Sequence, residues 1–300
     1  MTYATQSIEL PAAASNAQLA TSRSHRIGRD LTPLTWLVAA FALTASLVGL
    51  VVDGIYAGAV STAEMLRGFD VVTPSSSCRA WSSRGHLARR GSVAARLVTA
   101  GLLAYLVYTY AYYLFGTGFN DLFLLHAAVF ASALFALLLA ITTIDVTSTT
   151  VRFRPDTRAR SIAGILGVLA VGLGAMWVYV AVSNAVTGRV PAGSQLVETD
   201  TVVHLGMALD LALLVPLYAA AAALLWRHAA WGYVLAAVAL IAGVLHQLSY
   251  IVAMPFQVAA GVPGAVSYDP IEPVIVLLYL VATALLLHGA RRAPTVQDGG

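Results

Sequence analysis

One acidic residue is the most informative candidate for chemistry in this chain. Asp210 lies in an otherwise apolar stretch, GMALDLALLVP, inside a run long enough to cross a membrane. An ionised carboxylate in such surroundings needs a partner, because charge in hydrocarbon is costly. Proton exchange is one interpretation, since burial and neighbouring charges change the affinity of a carboxyl for its proton. The equally weighted alternative is structural, with tyrosine or asparagine donating hydrogen bonds that join two helices.

Three histidines could join this acid. His126, His204 and His246 come from three different apolar runs at comparable depth, and with Asp210 or Glu272 they could converge. Imidazole and carboxylate groups bind zinc, but the chain has no HExxH pair and its single cysteine excludes a CxxC pair. We therefore expect no metal and no cofactor, and we expect each histidine to hydrogen-bond a neighbour.

A stripe of tyrosines precedes the first of these histidines. Tyr105, Tyr108 and Tyr112 have i, i+3 and i+7 spacing, which places three hydroxyls on one face of a helix. They could line a polar cavity, but hydrogen bonds within a helix bundle are the favoured interpretation. Asn120 follows in a glycine-containing turn, where its side chain or that of Asp121 can cap the next helix.

Two further features bear on how helices pack. Pro216 lies inside the run that carries Asp210 and frees a backbone carbonyl one turn earlier, which predicts a kink. Gly167, Ala170 and Gly174 form a face of small residues that predicts close approach of another helix.

The composition shows what must position these residues. Of the 300 residues, 59% are hydrophobic and 10% are charged, with a mean hydropathy of +0.80, so lipid is the expected solvent. All 17 basic residues are arginine, which excludes Schiff-base chemistry at lysine and a phosphate-binding loop with its lysine. The net charge of +3 gives no support for a nucleic-acid partner.

Apolar runs predict the fold. Each is long enough to cross roughly 30 Å of hydrocarbon and must be helical, because lipid offers the backbone no hydrogen bonds. We expect an all-α, polytopic transmembrane helix bundle over residues 31–290, between a disordered basic tail at 1–30 and a disordered tail at 291–300. Its seven clear spans are 34–52, 97–115, 121–143, 162–184, 202–225, 230–253 and 271–289.

The arginines predict an orientation and an additional span. Short cytoplasmic loops carry an excess of arginine, and an even number of spans should separate consecutive arginine clusters. This holds from Arg96 onward, but a single span separates the arginines of the N-terminal tail from those at 84–96. We expect a degenerate eighth span near 71–88, with both termini cytoplasmic. An N-out chain of seven spans and a locally altered sequence are the alternatives.

Two long segments carry a family resemblance. Residues 101–140 and 210–236, together with Gly68-Phe69-Asp70 and Arg89-Arg90-Gly91-Ser92, resemble a family of uncharacterised multi-pass integral membrane proteins from high-GC bacteria. The resemblance implies a fold and a membrane location, with no assigned activity. It also implies an apolar helix between 72 and 88, where this chain has a run of serine and arginine. A compensated pair of frameshifts in the gene is one interpretation of that departure.

The functional expectation follows from the polar residues within the spans. We expect a protein of the bacterial inner membrane that binds or transports an unknown small molecule through an outward-facing polar cavity. The alternatives are an intramembrane enzyme acting on a lipid or isoprenoid, and a structural or accessory subunit with a membrane-protein partner. The candidate cavity residues are Asp210, His204, His126, His246, Tyr105, Tyr108, Tyr112, Asn120 and Glu272.

Overall fold

A computed structural model of the chain describes residues 31, 33–87, 93–146, 153, 154, 157–191 and 195–290, with the backbone alone at 75–87. The tails predicted at 1–30 and 291–300 lie outside these residues. The described chain forms eight long helices. They are α1 (Pro33–Val51), α2 (Val60–Leu87), α3 (Val93–Phe115), α4 (Phe123–Thr143), α5 (Ala159–Thr187), α6 (Asp200–Trp226), α7 (Ala230–Ala259) and α8 (Glu272–Gly289).

The predicted all-α bundle is confirmed. Among the described residues, seven helices are long and apolar enough to cross a membrane, and α2 is the helix that does not meet this criterion. Large apolar side chains are exposed along the outside of α5, as expected of a surface that faces lipid rather than water. They are Val168, Val171, Val178, Val182 and Val186. The chain is a multi-pass membrane protein.

The degenerate eighth segment is a helix, although it begins earlier than predicted. Helix α2 starts at Val60 and contains Pro74, and it packs against α3 and α7. Gly68 makes this contact close, because a Cβ added there would lie 2.3 Å from Ala253 Cα. The part of α2 around Gly68 is therefore packed closely against α7. That it crosses the membrane stays a prediction.

The order of side-chain contacts shows the direction of each helix. Tyr113 of α3 lies 3.0 Å from the Leu66 carbonyl oxygen, whereas Tyr105 lies 3.3 Å from the Thr73 hydroxyl, so α2 and α3 are antiparallel. The other pairs follow in the same way, and short loops join α1 to α2 and α3 to α4. Helix α6 is antiparallel to α3, through Tyr112–Gly206 and Tyr108–Asp210, and to α5, through Gly174–Val215 and Trp177–Asp210. Helix α7 is parallel to α3, through Gly101–Ile241 and Tyr105–Ser249, and antiparallel to α8, through Gly243–Tyr279 and Gln247–Glu272.

Successive helices therefore alternate in direction, and the beginning of α1 lies at the same end of the bundle as the end of α8. The two ends differ in charge. Most described arginines lie at the end where α1 begins, namely Arg96, Arg154, Arg158, Arg160 and Arg227. Most described carboxylates lie at the opposite end, which we call the acidic end, namely Asp53, Glu64, Asp121, Glu198, Asp200, Asp269 and Glu272. The assignment of the arginine-bearing end to the cytoplasm stays a prediction.

The prediction that small residues of α5 allow close approach of another helix is wrong at Gly167. No atom of another helix lies within 4 Å of a Cβ added at Gly167, whereas one added at Gly174 would lie 3.4 Å from Val215. Trp177 of α5 is buried and contacts Asp210 of α6. Close approaches between helix backbones occur instead at Gly68 and Gly232.

Candidate functional site

Helix α6 changes its winding at Asp210. Residues Asp200–Leu209 are α-helical, Asp210–Leu214 form a π-helical turn, and Val215–Trp226 return to the α-helix. The Val215 amide donates to the Asp210 carbonyl oxygen, five residues earlier. Pro216 explains the wider turn, because its ring would clash with a carbonyl four residues before it and it has no N–H to donate. The break predicted from Pro216 is thus a π turn, and such turns occur frequently at functional sites.

The Asp210 carboxyl accepts one hydrogen bond on each oxygen. The Tyr108 hydroxyl donates to Oδ1 at 2.5 Å, and the Trp177 indole N–H donates to Oδ2 at 2.7 Å. The Tyr112 hydroxyl lies 3.3 Å from that of Tyr108. These four residues, which we call the Asp210 cluster, come from α3, α5 and α6 and are buried. The carboxyl thus joins three helices in the interior of the bundle.

His246 of α7 lies against the same cluster. Its ring is edge-on to Tyr108, with 4.6 Å between ring centroids, and stacks on Tyr112 at 6.1 Å. Its Nδ1 is buried and has no hydrogen-bond partner among the described residues. On the other side, a Cβ added at Gly206 would lie 3.0 Å from the Tyr112 hydroxyl. Aromatic rings therefore surround Asp210, and the absence of a side chain at Gly206 leaves room for Tyr112.

A second buried acid, Asp70 of α2, lies outside the predicted set. The Tyr56 hydroxyl donates to its Oδ2 at 2.5 Å, and the Tyr113 hydroxyl lies 2.9 Å from its Oδ1. We call these three residues the Asp70 cluster. The carboxyl is 1% exposed and lies against Gly49, where an added Cβ would be 2.1 Å from Oδ2. Burial raises the pKa of the Tyr56 hydroxyl, so Tyr56 keeps its proton as a donor.

His126 lies beside the Asp70 cluster and corrects one expectation. The ring centroids of His126 and Tyr113 are 4.8 Å apart, and Tyr56 and Tyr110 lie on other sides of the imidazole. The side chain is fully buried, yet neither ring nitrogen has a hydrogen-bond partner among the described residues. The prediction that each histidine bonds a neighbour is wrong here, because the His126 ring packs among the rings of three tyrosines.

The remaining predicted residues are dispersed. Tyr105 contacts the Ser249 hydroxyl at 2.9 Å and that of Thr73 at 3.3 Å, so it joins α3 to α7 and α2. His204 is exposed on α6. The structure thus brings together Asp210, Tyr108, Tyr112 and His246, and it places Tyr105, His126, His204, Asn120 and Glu272 elsewhere.

Asn120 and Glu272 both lie at the acidic end. Asn120 Oδ1 accepts from the Leu122 amide at 3.0 Å and its Nδ2 donates to the Gly118 carbonyl at 3.3 Å, which stabilises the turn before α4. Glu272 begins α8 and accepts a hydrogen bond from Gln247 of α7. Asn120 therefore stabilises its own turn, whereas Glu272 joins α8 to α7.

The three histidines do not converge. In the part of the chain that the structure describes, no group of three His, Cys, Asp or Glu side chains is arranged to hold a metal ion. His246 lies at the Asp210 cluster and His126 beside the Asp70 cluster, while His204 is exposed. What the two clusters share is a carboxyl bonded by tyrosine hydroxyls from other parts of the chain.

No family model, no curated protein and no solved structure matches this chain. The resemblance to a bacterial membrane family therefore stays a prediction. Function has to be inferred from the chemistry of the clusters, because a helix bundle alone does not imply an activity.

Proposed function

We propose that the protein binds a small organic cation at the Asp210 cluster and transports it across the membrane. The observation that carries this proposal is the position of Asp210 at a π-helical turn, with donors from two other helices on its carboxyl. An ionisable group within a transmembrane bundle is expensive to keep and is commonly part of a substrate or ion pathway.

Hydrogen bonding supports an ionised Asp210. Tyr112 can donate to Tyr108, Tyr108 donates to Oδ1 and Trp177 donates to Oδ2, so each proton in the cluster has an acceptor when the carboxylate is charged. Within the described residues no arginine forms an ion pair with Asp210. A negative charge without a resident counter-charge favours a cationic ligand.

The aromatic surroundings favour an organic cation over a hydrated metal ion. Tyr108, Tyr112, Trp177 and His246 lie around the carboxylate, and the faces of such rings attract ammonium groups. A carboxylate among aromatic rings therefore suits a protonated or quaternary amine of small size.

Two further observations favour transport over static binding. The π turn and Pro216 interrupt α6 next to the acid, as transporter helices are interrupted at their binding sites. Asp210 also lies in the half of α6 nearer the acidic end. If the arginine-bearing end is cytoplasmic as predicted, this site lies nearer the outer side of the membrane.

Uptake into proteoliposomes tests the proposal. The probes are radiolabelled small protonated and quaternary amines, with neutral isosteres and organic anions of equal size. We expect accumulation of at least one amine by the wild-type protein, loss of it in Asp210→Asn, and retention in Asp121→Asn, a control at an exposed acid of the same end. Equal uptake by wild type and Asp210→Asn, or uptake of anions alone, would contradict the proposal.

A further inference from the structure

The hydrogen bonds of the Asp70 cluster differ from those of the Asp210 cluster in the number of protons that they require. The single proton of the Tyr113 hydroxyl has two acceptors within reach, Asp70 Oδ1 at 2.9 Å and the Leu66 carbonyl oxygen at 3.0 Å. Tyr56 donates to Asp70 Oδ2. If Asp70 were ionised, two hydroxyl protons would have to serve three acceptor contacts. One contact between buried oxygen atoms would then lack a proton, which is unfavourable.

A proton on Asp70 completes the cluster. The protonated Oδ1 donates to the Tyr113 oxygen, Tyr113 donates to the Leu66 carbonyl, and Tyr56 donates to Oδ2. Each of the three close contacts then contains one proton. A proton on Asp210 would instead leave a hydroxyl without an acceptor. The protonated Oδ1 would donate to Tyr108, and Tyr108 would donate to Tyr112. The Tyr112 proton would then have no acceptor among the contacts of that cluster.

The surrounding charges agree with a neutral Asp70. Arg67, one helical turn earlier, directs its guanidinium to Asp53 at 3.3 Å, to Glu64 at 3.4 Å and to the Leu50 carbonyl at 3.3 Å. Among the described residues no cation contacts the Asp70 carboxyl, and a buried charge without a partner is costly. The titratable groups facing Asp70 are Tyr56 from the loop, Arg67 from α2, and Tyr105, Tyr110 and Tyr113 from α3. His126 of α4 contacts the Tyr113 ring.

We propose that Asp70 is a proton-binding site. In this conformation Asp70 is protonated, whereas Asp210 is ionised. Tyr56 lies in the loop between α1 and α2 at the acidic end and closes this site from that side. Withdrawal of Tyr56 would expose the Asp70 carboxyl and allow its proton to leave. The site is independent of what Asp210 binds.

Infrared spectroscopy of the purified protein in lipid nanodiscs tests this without a transport substrate. A protonated carboxylic acid has a carbonyl stretch separate from that of a carboxylate, and exchange into D2O shifts it. We expect this band at neutral pH in the wild-type protein, its loss in Asp70→Asn, and its retention in Asp210→Asn and Glu272→Gln. The absence of the band from the wild type, or its persistence in folded Asp70→Asn, would overturn the proposal.

A second variant covers failure of Asp70→Asn to fold. Tyr113→Phe keeps the carboxyl but removes the oxygen that accepts its proton, so we expect the band to remain and move to the frequency of a more weakly bonded acid. Tyr179→Phe, at an exposed tyrosine of α5, is the matched control and should leave the band unchanged. An identical band in Tyr113→Phe and the wild type would also overturn the assignment.

Discussion

The Tyr108 hydroxyl donates to Asp210 Oδ1 at 2.5 Å and thereby ties the central helix α3 to the π-helical turn of α6. Both residues are buried, so the hydrogen bond is shielded from solvent that could replace it. Tyr108→Phe removes the donor and leaves Asp210 Oδ1 without this hydrogen bond. We expect a loss of stability of about 1.5–3 kcal/mol, the usual contribution of a hydrogen bond to a charged group.

Thermal unfolding in a mild detergent measures this loss. Tyr179→Phe removes an exposed hydroxyl from α5 and should leave the midpoint unchanged. Equal midpoints for Tyr108→Phe and Tyr179→Phe would mean that the bond to Asp210 contributes nothing to the folded state.

The approach of α2 to α7 depends on Gly68. A side chain there would have its Cβ 2.3 Å from Ala253 Cα, which backbone atoms cannot accommodate without separating the helices. We expect Gly68→Leu to destabilise the bundle by at least the roughly 1–3 kcal/mol typical of overpacking. The yield of monodisperse protein in size-exclusion chromatography reports it. Gly164→Leu, where nothing lies within 4 Å, should behave as wild type, and a similar loss in both variants would argue against a specific contact.

The alternation of eight helices predicts where reporters will lie. A reporter fused after residue 90, between α2 and α3, should be on the same side of the membrane as one fused at the N-terminus, whereas one fused after Gly118 should be on the opposite side. Paired phosphatase and fluorescent-protein fusions distinguish the two sides. Opposite sides for the N-terminal fusion and the fusion after residue 90 would exclude α2 as a membrane-crossing helix.

Gln257 fixes the segment that precedes α6. Its Nε2 donates to the Ser61 and Val197 carbonyl oxygens at 2.8 Å each, and its Oε1 accepts from the Val197 amide at 2.9 Å. We expect Gln257→Ala to accelerate hydrogen exchange of the Val197 amide by at least tenfold, because a lost hydrogen bond of about 1.4 kcal/mol or more changes a local opening equilibrium by that factor. Mass spectrometry of peptides covering 195–199 measures the rate. Amides within α3 provide the internal control, and faster exchange there as well would indicate general loosening of the bundle.

Much of the architecture could be predicted because lipid leaves the backbone few choices. Apolar runs of sufficient length must be helical, so seven helices were evident without knowledge of their packing. The arginine distribution indicated an additional segment where hydropathy showed none, and α2 is a helix there. Asp210 was recognisable for a similar reason, since an acid in an apolar run needs partners wherever they come from.

The membership of the clusters could not be predicted. Asp70 is outside the predicted site residues, because only the start of α2 at Val60 places this carboxyl within a helix. Equal depth predicts that His126 and His204 lie together, but His126 is enclosed by tyrosines and His204 is exposed. Depth along a helix follows from the sequence, whereas the direction in which a side chain points relative to the bundle does not.

The sequence by itself determined that the chain is a helical membrane protein with at least one acid inside its apolar runs, because composition and run length decide solvent and backbone conformation locally. Only the tertiary structure decided that Asp70 and Asp210 are both buried and have different hydrogen-bond sets. The physical reason is the distance along the chain between partners. Asp210 is bonded by Tyr108 and Trp177, and Asp70 by Tyr56 and Tyr113, so each set depends on how separate helices rotate and pack.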